Sequence, residues 1–87
     1  MKFEMGMLVA TPGVLAKIND TDAALAVRKH LSGDWGDLDD EDKKLNDAAI
    51  VDGGRILSAY RDRNDNRFWV ITEATRGVTT ILLTEEY

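Results

Sequence analysis

Residues 55–83 read RILSAY-RDRNDN-RFWVIT-EATRG-VTTILL, and this stretch decides the fold. Arg55–Tyr60, Arg67–Thr72 and Val78–Leu83 are runs of six residues, rich in β-branched and aromatic types that suit half-buried strands. The connectors between them, residues 61–66 and 73–77, carry the Asp, Asn and Gly that favour reversals. Strands spaced this closely predict a three-stranded antiparallel meander. Neither face is polar enough for water, so helices are expected on one of them. Ile56, Ser58 and Tyr60 alternate with Leu57 and Ala59, and the pattern leaves open which set points inward.

Upstream, the period is helical. Phe3 to Ala10 mixes Met, Leu and Val with Gly6 and reads as a short N-terminal strand. Thr11-Pro12 is a helix-start signal, because the hydroxyl accepts a backbone N–H and Pro at the first helical position loses no bond. A short helix over Pro12–Ile18 would turn Val14, Leu15 and Ile18 to one side. Asn19-Asp20-Thr21 breaks it and caps a second helix, Asp22 to Leu31, with Ala24, Val27 and Leu31 on its expected inner face. Ser32-Gly33 ends that helix. After the turn Gly33-Asp34-Trp35-Gly36, Asp39 or Asp40 caps a third helix reaching about Val51, expected to bury Leu45, Ala48, Ala49 and Leu38. Gly53-Gly54 stops it. The expectation is a single compact α+β domain spanning residues 1–87, ordered β-α-α-α-β-β-β, with two to three helices on one sheet face.

Composition removes several kinds of chemistry. There is no cysteine, so disulfides, zinc ribbons, iron–sulfur clusters and thiol catalysis are excluded. One histidine excludes any motif needing two. No apolar run approaches the roughly 18 to 20 residues of a membrane span, and Glu4 sits where a secretion leader stays uncharged, so neither is expected.

The charge is segregated. Eleven Lys and Arg face 16 Asp and Glu, a net of −5. Residues 34–52 hold eight of those carboxylates against Lys43 and Lys44 alone, a balance of −6, whereas residues 1–33 balance at +1 and residues 55–76 at +2. Two readings compete for the acidic stretch. It is either a solvated helix start favoured by the helix dipole or a surface that attracts a basic partner. On the second reading Asp34, Trp35, Asp37, Asp39, Asp40, Glu41 and Asp42 make the contact. Trp35 is then an exposed anchor, and on the first it plugs the core.

Other constellations give weaker signals. Asp62, Asn64, Asn66 and Glu73 match calcium-loop spacing, but Arg67 stands where that loop needs Gly and a strand follows, so a hairpin turn is expected. His30 near a helix end reads as a structural or capping residue. Its catalytic alternative, a small hydrolase using His30 with Asp34, lacks a recognisable nucleophile. Gly53-Gly54 precedes a strand and does not open a helix, which leaves phosphate cradling unsupported. Arg55, Arg61, Arg63 and Arg67, interleaved with Tyr60, Phe68 and Trp69, suggest a nucleic-acid-associated regulator as the alternative function. The overall acidity argues against direct nucleic-acid binding. No cofactor and no metal site is expected.

His30-Leu-Ser-Gly-Asp-Trp-Gly36, Lys43-Lys-Leu-Asn-Asp47, Gly54-Arg-Ile-Leu-Ser-Ala-Tyr60 and Trp69-Val-Ile-Thr-Glu-Ala-Thr-Arg76, with Val78–Leu83 and Glu85-Glu-Tyr87, together resemble a small bacterial family of plasmid-related proteins. Thr75, Gly77 and Thr84 depart from its pattern, where Asp, Ser and Pro are expected. The resemblance carries no catalytic residue. It implies a cytoplasmic protein travelling on mobile elements, where small acidic proteins often inhibit host defence enzymes. The expected function is therefore a non-enzymatic acidic protein-binding module, partnered by a basic protein surface. An inhibitor of a host defence nuclease complex, of the anti-CRISPR or anti-restriction kind, is its sharpest form.

Overall fold

The computed structural model describes residues 1–87. The order is β1 (Met7–Ala10), α1 (Pro12–Lys17), α2 (Asp20–Ser32), α3 (Asp40–Asp52), β2 (Ile56–Arg61), β3 (Arg67–Thr72) and β4 (Val78–Leu83), followed by a 3-10 turn at Thr84–Glu86. This is the expected α+β arrangement.

Local chemistry sets each helix. Thr11 Oγ1 accepts from the Val14 N–H at 3.3 Å, and Pro12 opens α1. Asn19 Oδ1 accepts from the Thr21 N–H at 2.8 Å and starts α2. Asp39 does the same for α3 through the Asp42 N–H at 2.8 Å. Gly33 and Gly53 end α2 and α3 in the left-handed conformation, which glycine adopts without strain.

The four strands form one sheet in the order β1-β4-β3-β2. β2, β3 and β4 make the antiparallel meander, with Ser58 opposite Val70 and Val70 opposite Ile81. β1 pairs with β4 in parallel, Met7 beside Val78 and Ala10 beside Ile81. That pairing makes the sheet mixed, and it joins the first strand to the last.

The facing question is settled by burial. Ile56, Ser58 and Tyr60 point into the helix layer with Phe68, Val70, Thr72, Thr79, Ile81 and Leu83. Val14, Ile18, Ala26 and Val27 meet them from α1 and α2. Trp35, Ala49 and Ile56 form a second, smaller cluster near α3, joined by Phe3, Leu38 and Ile50.

Three helix-face expectations are corrected. In α2, Ala26, Val27 and His30 are buried, while Ala24 is exposed and Leu31 only half-buried. In α3 the buried residues are Asn46 and Ala49, and Leu45 and Ala48 are exposed. Leu15 of α1 is exposed too, because only Val14 and Ile18 reach the sheet. The physical reason in α3 is its position at the border of the sheet. There its inner face serves backbone groups and needs a polar residue.

Asn46 shows this directly. Its amide donates to the Leu57 carbonyl at 2.7 Å and its oxygen accepts from the Leu57 N–H at 3.2 Å. One residue pair further along, Ala59 donates to the Trp35 carbonyl at 3.1 Å and accepts from the Asp37 N–H at 2.7 Å. Gly36 lies between, bridged to Ala59 with φ of 73°, and a Cβ there would run into the Ala59 carbonyl. The outer edge of β2 is thereby closed to other strands.

Candidate protein-binding face

The acidic stretch divides once its side chains are placed. Trp35 is sealed, 3% exposed, with its indole N–H donating to Asp47 Oδ1 at 2.9 Å. It stacks against Phe3 and meets the His30 ring edge-on. The expected contact set therefore loses its aromatic member: Trp35 is the plug of the second cluster and presents nothing to a partner. The cause is its place in a turn that must also close β2, which points the ring into the gap between α2, α3 and the sheet.

Three of the acids serve the fold. Asp34 accepts from the Gly36 N–H at 3.3 Å, and its carbonyl accepts from the Tyr60 hydroxyl at 2.7 Å. Asp37 pairs with Arg61 at 3.3 Å. Asp39 is the cap of α3. Asp40, Glu41 and Asp42 are exposed in the first turn of that helix, and no Lys, Arg or His of the chain forms an ion pair with them. Beside them Leu45 is 64% exposed. It borders a 260 Å³ groove with Leu38, Asp42, Asn46, Arg55 and Leu57. Leu45 thus stands in solvent one turn after Glu41 and Asp42, with Arg55 on the same groove. Periodicity places Leu45 in the core, whereas α3 turns Asn46 and Ala49 inward and leaves Leu45 in solvent.

The strand arginines are mostly occupied. Arg63 grips Asp22 through Nε at 2.9 Å and Nη2 at 3.0 Å, which holds the Asp22 carboxyl below its ordinary range. Arg61 pairs with Asp37 and Asp65. Arg55 donates to the Tyr87 hydroxyl at 2.8 Å and lies over its ring. Arg67 is exposed. Tyr60 and Phe68 turn into the core, so the expected interleaving of arginines and aromatics does not occur on one surface. Burial also pushes the Tyr60 hydroxyl up. The other sheet face instead carries Trp69 against Tyr87, ring centroids 5.1 Å apart.

His30 is fully enclosed, 0% exposed. Its ring sits in a chain of hydroxyls whose direction one acceptor fixes. The Met5 carbonyl can only accept, so Thr79 donates to it at 2.7 Å. Thr72 must then donate to Thr79, also at 2.7 Å, and accept from His30 Nε2–H at 2.9 Å. Nδ1 is left to accept from the Ser58 hydroxyl. The imidazole is neutral, and burial lowers its pKa to about 4. Ser58 is equally enclosed, and Asp34 makes no bond to the ring. His30 and Ser58 lie together, both closed off from solvent.

At the hairpin, Asp62 accepts from the Asn64 and Asn66 N–H groups at 2.9 and 2.7 Å and from the Asn66 amide at 3.0 Å. The Asn66 amide leads in holding the Asp62 carboxyl below its usual value. Asp62 organises a turn, and Glu73 lies beyond the far end of β3. No cluster of three or more His, Asp or Glu side chains is placed to hold a metal ion. No helix is long and apolar enough to cross a membrane.

Arg76, to which the sequence pattern assigns no role, donates to the Gly54 carbonyl at 2.6 Å and the Ala49 carbonyl at 2.9 Å. It thereby ties the end of α3 to the β3–β4 turn, with its guanidinium over the Phe3 ring. A cation at a helix C-terminus was the only available signal for it, and that signal is invisible until the turn is folded against the helix.

Comparison of the chain with protein-family models, with curated proteins and with solved structures returns no match.

Proposed function

We propose that the protein is a non-enzymatic binding module whose exposed side of α3 docks on a basic protein surface. The observation that carries this reading is the unneutralised first turn of α3, Asp40, Glu41 and Asp42, followed one turn later by exposed Leu45. An apolar anchor beside carboxylates left without cation partners suits a small recognition patch, the anchor giving affinity and the charges encounter rate and specificity. The contact set is Asp40, Glu41, Asp42 and Leu45, with Asp37 and Asp39 at its border; Trp35, being buried, is not part of it.

The sharper form places the module in the cytoplasm as an inhibitor of a defence nuclease complex, filling a groove meant for nucleic acid. It rests on the family resemblance and on the −6 balance of residues 34–52. Affinity capture from host-cell lysate tests both forms. Wild-type protein is expected to retain a basic protein, while Leu45→Ala and the neutralised Asp40→Asn, Glu41→Gln, Asp42→Asn variant lose it. Asp39 is left intact because it caps the helix, so both variants should melt close to wild type. Retention that ignores both changes would sink the reading. An inhibitor additionally predicts that the captured complex no longer holds its nucleic acid.

A further inference from the structure

The sheet has two edges, and only the β2 edge is closed. On β1, the Met7 N–H bonds to the Gly77 carbonyl at 3.0 Å, and just past the strand the Thr11 N–H bonds to the Ile81 carbonyl at 3.1 Å. Strand alternation then turns the N–H and C=O groups of Leu8 and Ala10 away from the sheet, where no strand or loop of the chain meets them. Met7, Leu8 and Val9 are 69%, 44% and 36% exposed. Beside this edge, under the helix layer, runs a 440 Å³ groove lined by apolar side chains including Leu8, Ala10, Leu15 and Val27. Its only polar lining residues are Asp20 and Arg28, and neither has an ion-pair partner in the chain.

We propose that this edge pairs with β1 of a second copy, antiparallel about a two-fold axis, to give one continuous eight-stranded sheet. An unpaired apolar strand is a template for another strand, and a two-fold makes the surface its own complement. With Val9 facing its counterpart at the axis, Leu8 exchanges both backbone bonds with Ala10 of the other chain. All four outward groups of each strand are then satisfied.

Charge selects a second copy over a foreign strand. Asp20 and Arg28 lie on α2 about 12 Å apart along its axis, one acid and one base on the same rim. A two-fold sets the acid of each copy toward the base of the other. The seam also joins the near-neutral part of the chain, residues 1–33 at +1, and keeps the −6 segments at the far ends. The two β2 strands then stand seven strand spacings apart, about 34 Å. Each carries its own acidic face, so a partner with two basic sites would be held bivalently.

Sedimentation equilibrium of the full chain decides this. Wild type is expected at twice the chain mass. Leu8→Lys, at a half-exposed position the fold tolerates, is expected to sediment as a monomer with unchanged circular dichroism. Arg28→Glu should raise the dimer dissociation constant about tenfold, and adding Asp20→Lys should bring it back. A monomeric wild type at millimolar concentration overturns the proposal and leaves the edge to a strand of another protein. A dimer that survives Leu8→Lys overturns it too, and a double variant no tighter than Arg28→Glu alone overturns the two-fold register.

Discussion

At the scale of one residue, His30 is the most constrained group in the molecule. Both ring nitrogens are committed to hydroxyls, and the Met5 carbonyl at the end of the chain dictates the tautomer. The consequence is a stability profile with a definite sign. The folded value near 4 lies below the ordinary 6.5, so the unfolded chain takes up the proton first. The contribution of neutral His30 is complete above pH 6.5 and falls away as pH drops toward 4, about 3 kcal/mol in all. Asp22, Asp62 and Glu86, held below ordinary carboxylate values by Arg63, Asn66 and Thr11, lose their contributions only below about pH 4.5. The two windows are separable by urea unfolding at a series of pH values. His30→Gln is expected to be less stable at pH 7 yet flat between about pH 6.5 and 4.5, above the carboxylate window. A slope in that window that survives the substitution would assign it to another group. Near a helix end the sequence offered His30 as a cap, since nothing local announces that Ser58, Thr72 and Thr79, distant in the chain, converge on it.

At the scale of the element, α3 shows where pattern reading succeeds and where it stops. Its ends were legible, because Asp39 and Gly53 act through bonds to their own helix. The three meander strands were legible for a related reason, since period-two alternation and turn residues are local signals. The inward face of α3 was not legible. Apolar spacing favoured Leu45 and Ala48, whereas the sheet border needed an amide that could serve the N–H and C=O of Leu57 at once. Asn46→Ala is accordingly expected to cost about 1 to 2 kcal/mol, the loss of two hydrogen bonds to a part-buried strand edge. It should also promote aggregation on storage, since it reopens part of a strand edge. A variant that melts like wild type would mean water replaces the amide without loss. Arg76→Ala tests the other end of the same helix. Losing its charged bonds to Ala49 and Gly54 should cost about 2 kcal/mol, and Arg76→Lys should recover only part because an ammonium cannot fork between the two carbonyls. Thermal melts of the pair read this directly.

At the scale of the whole molecule, the parallel β1–β4 pairing determines how the chain closes. β1 has no neighbour in the sheet but β4, so the start of the chain is held by a pairing with the last strand. The turn after β4 fastens that closure. Glu86 accepts from Thr11 Oγ1 at 2.6 Å, from the Gly13 N–H at 3.2 Å and from the Leu83 N–H at 2.8 Å, while Glu85 reaches Lys17 at 3.8 Å. One carboxylate therefore clamps the start of α1 to the end of β4, across a sequence separation of 75 residues. Local propensity carries no trace of such a contact, which is why the sequence showed a tail of two acids and nothing more. Contacts of this span pay the full loop-closure entropy and are expected to form after the folding transition state. Glu86→Ala should then lower the urea midpoint and steepen the loss of structure at the chain ends. In a chevron plot the unfolding arm should rise while the folding arm stays where it was. If the folding arm falls by the same free energy as the midpoint, the termini meet early, and β1 with α1 belongs to the nucleus alongside the meander.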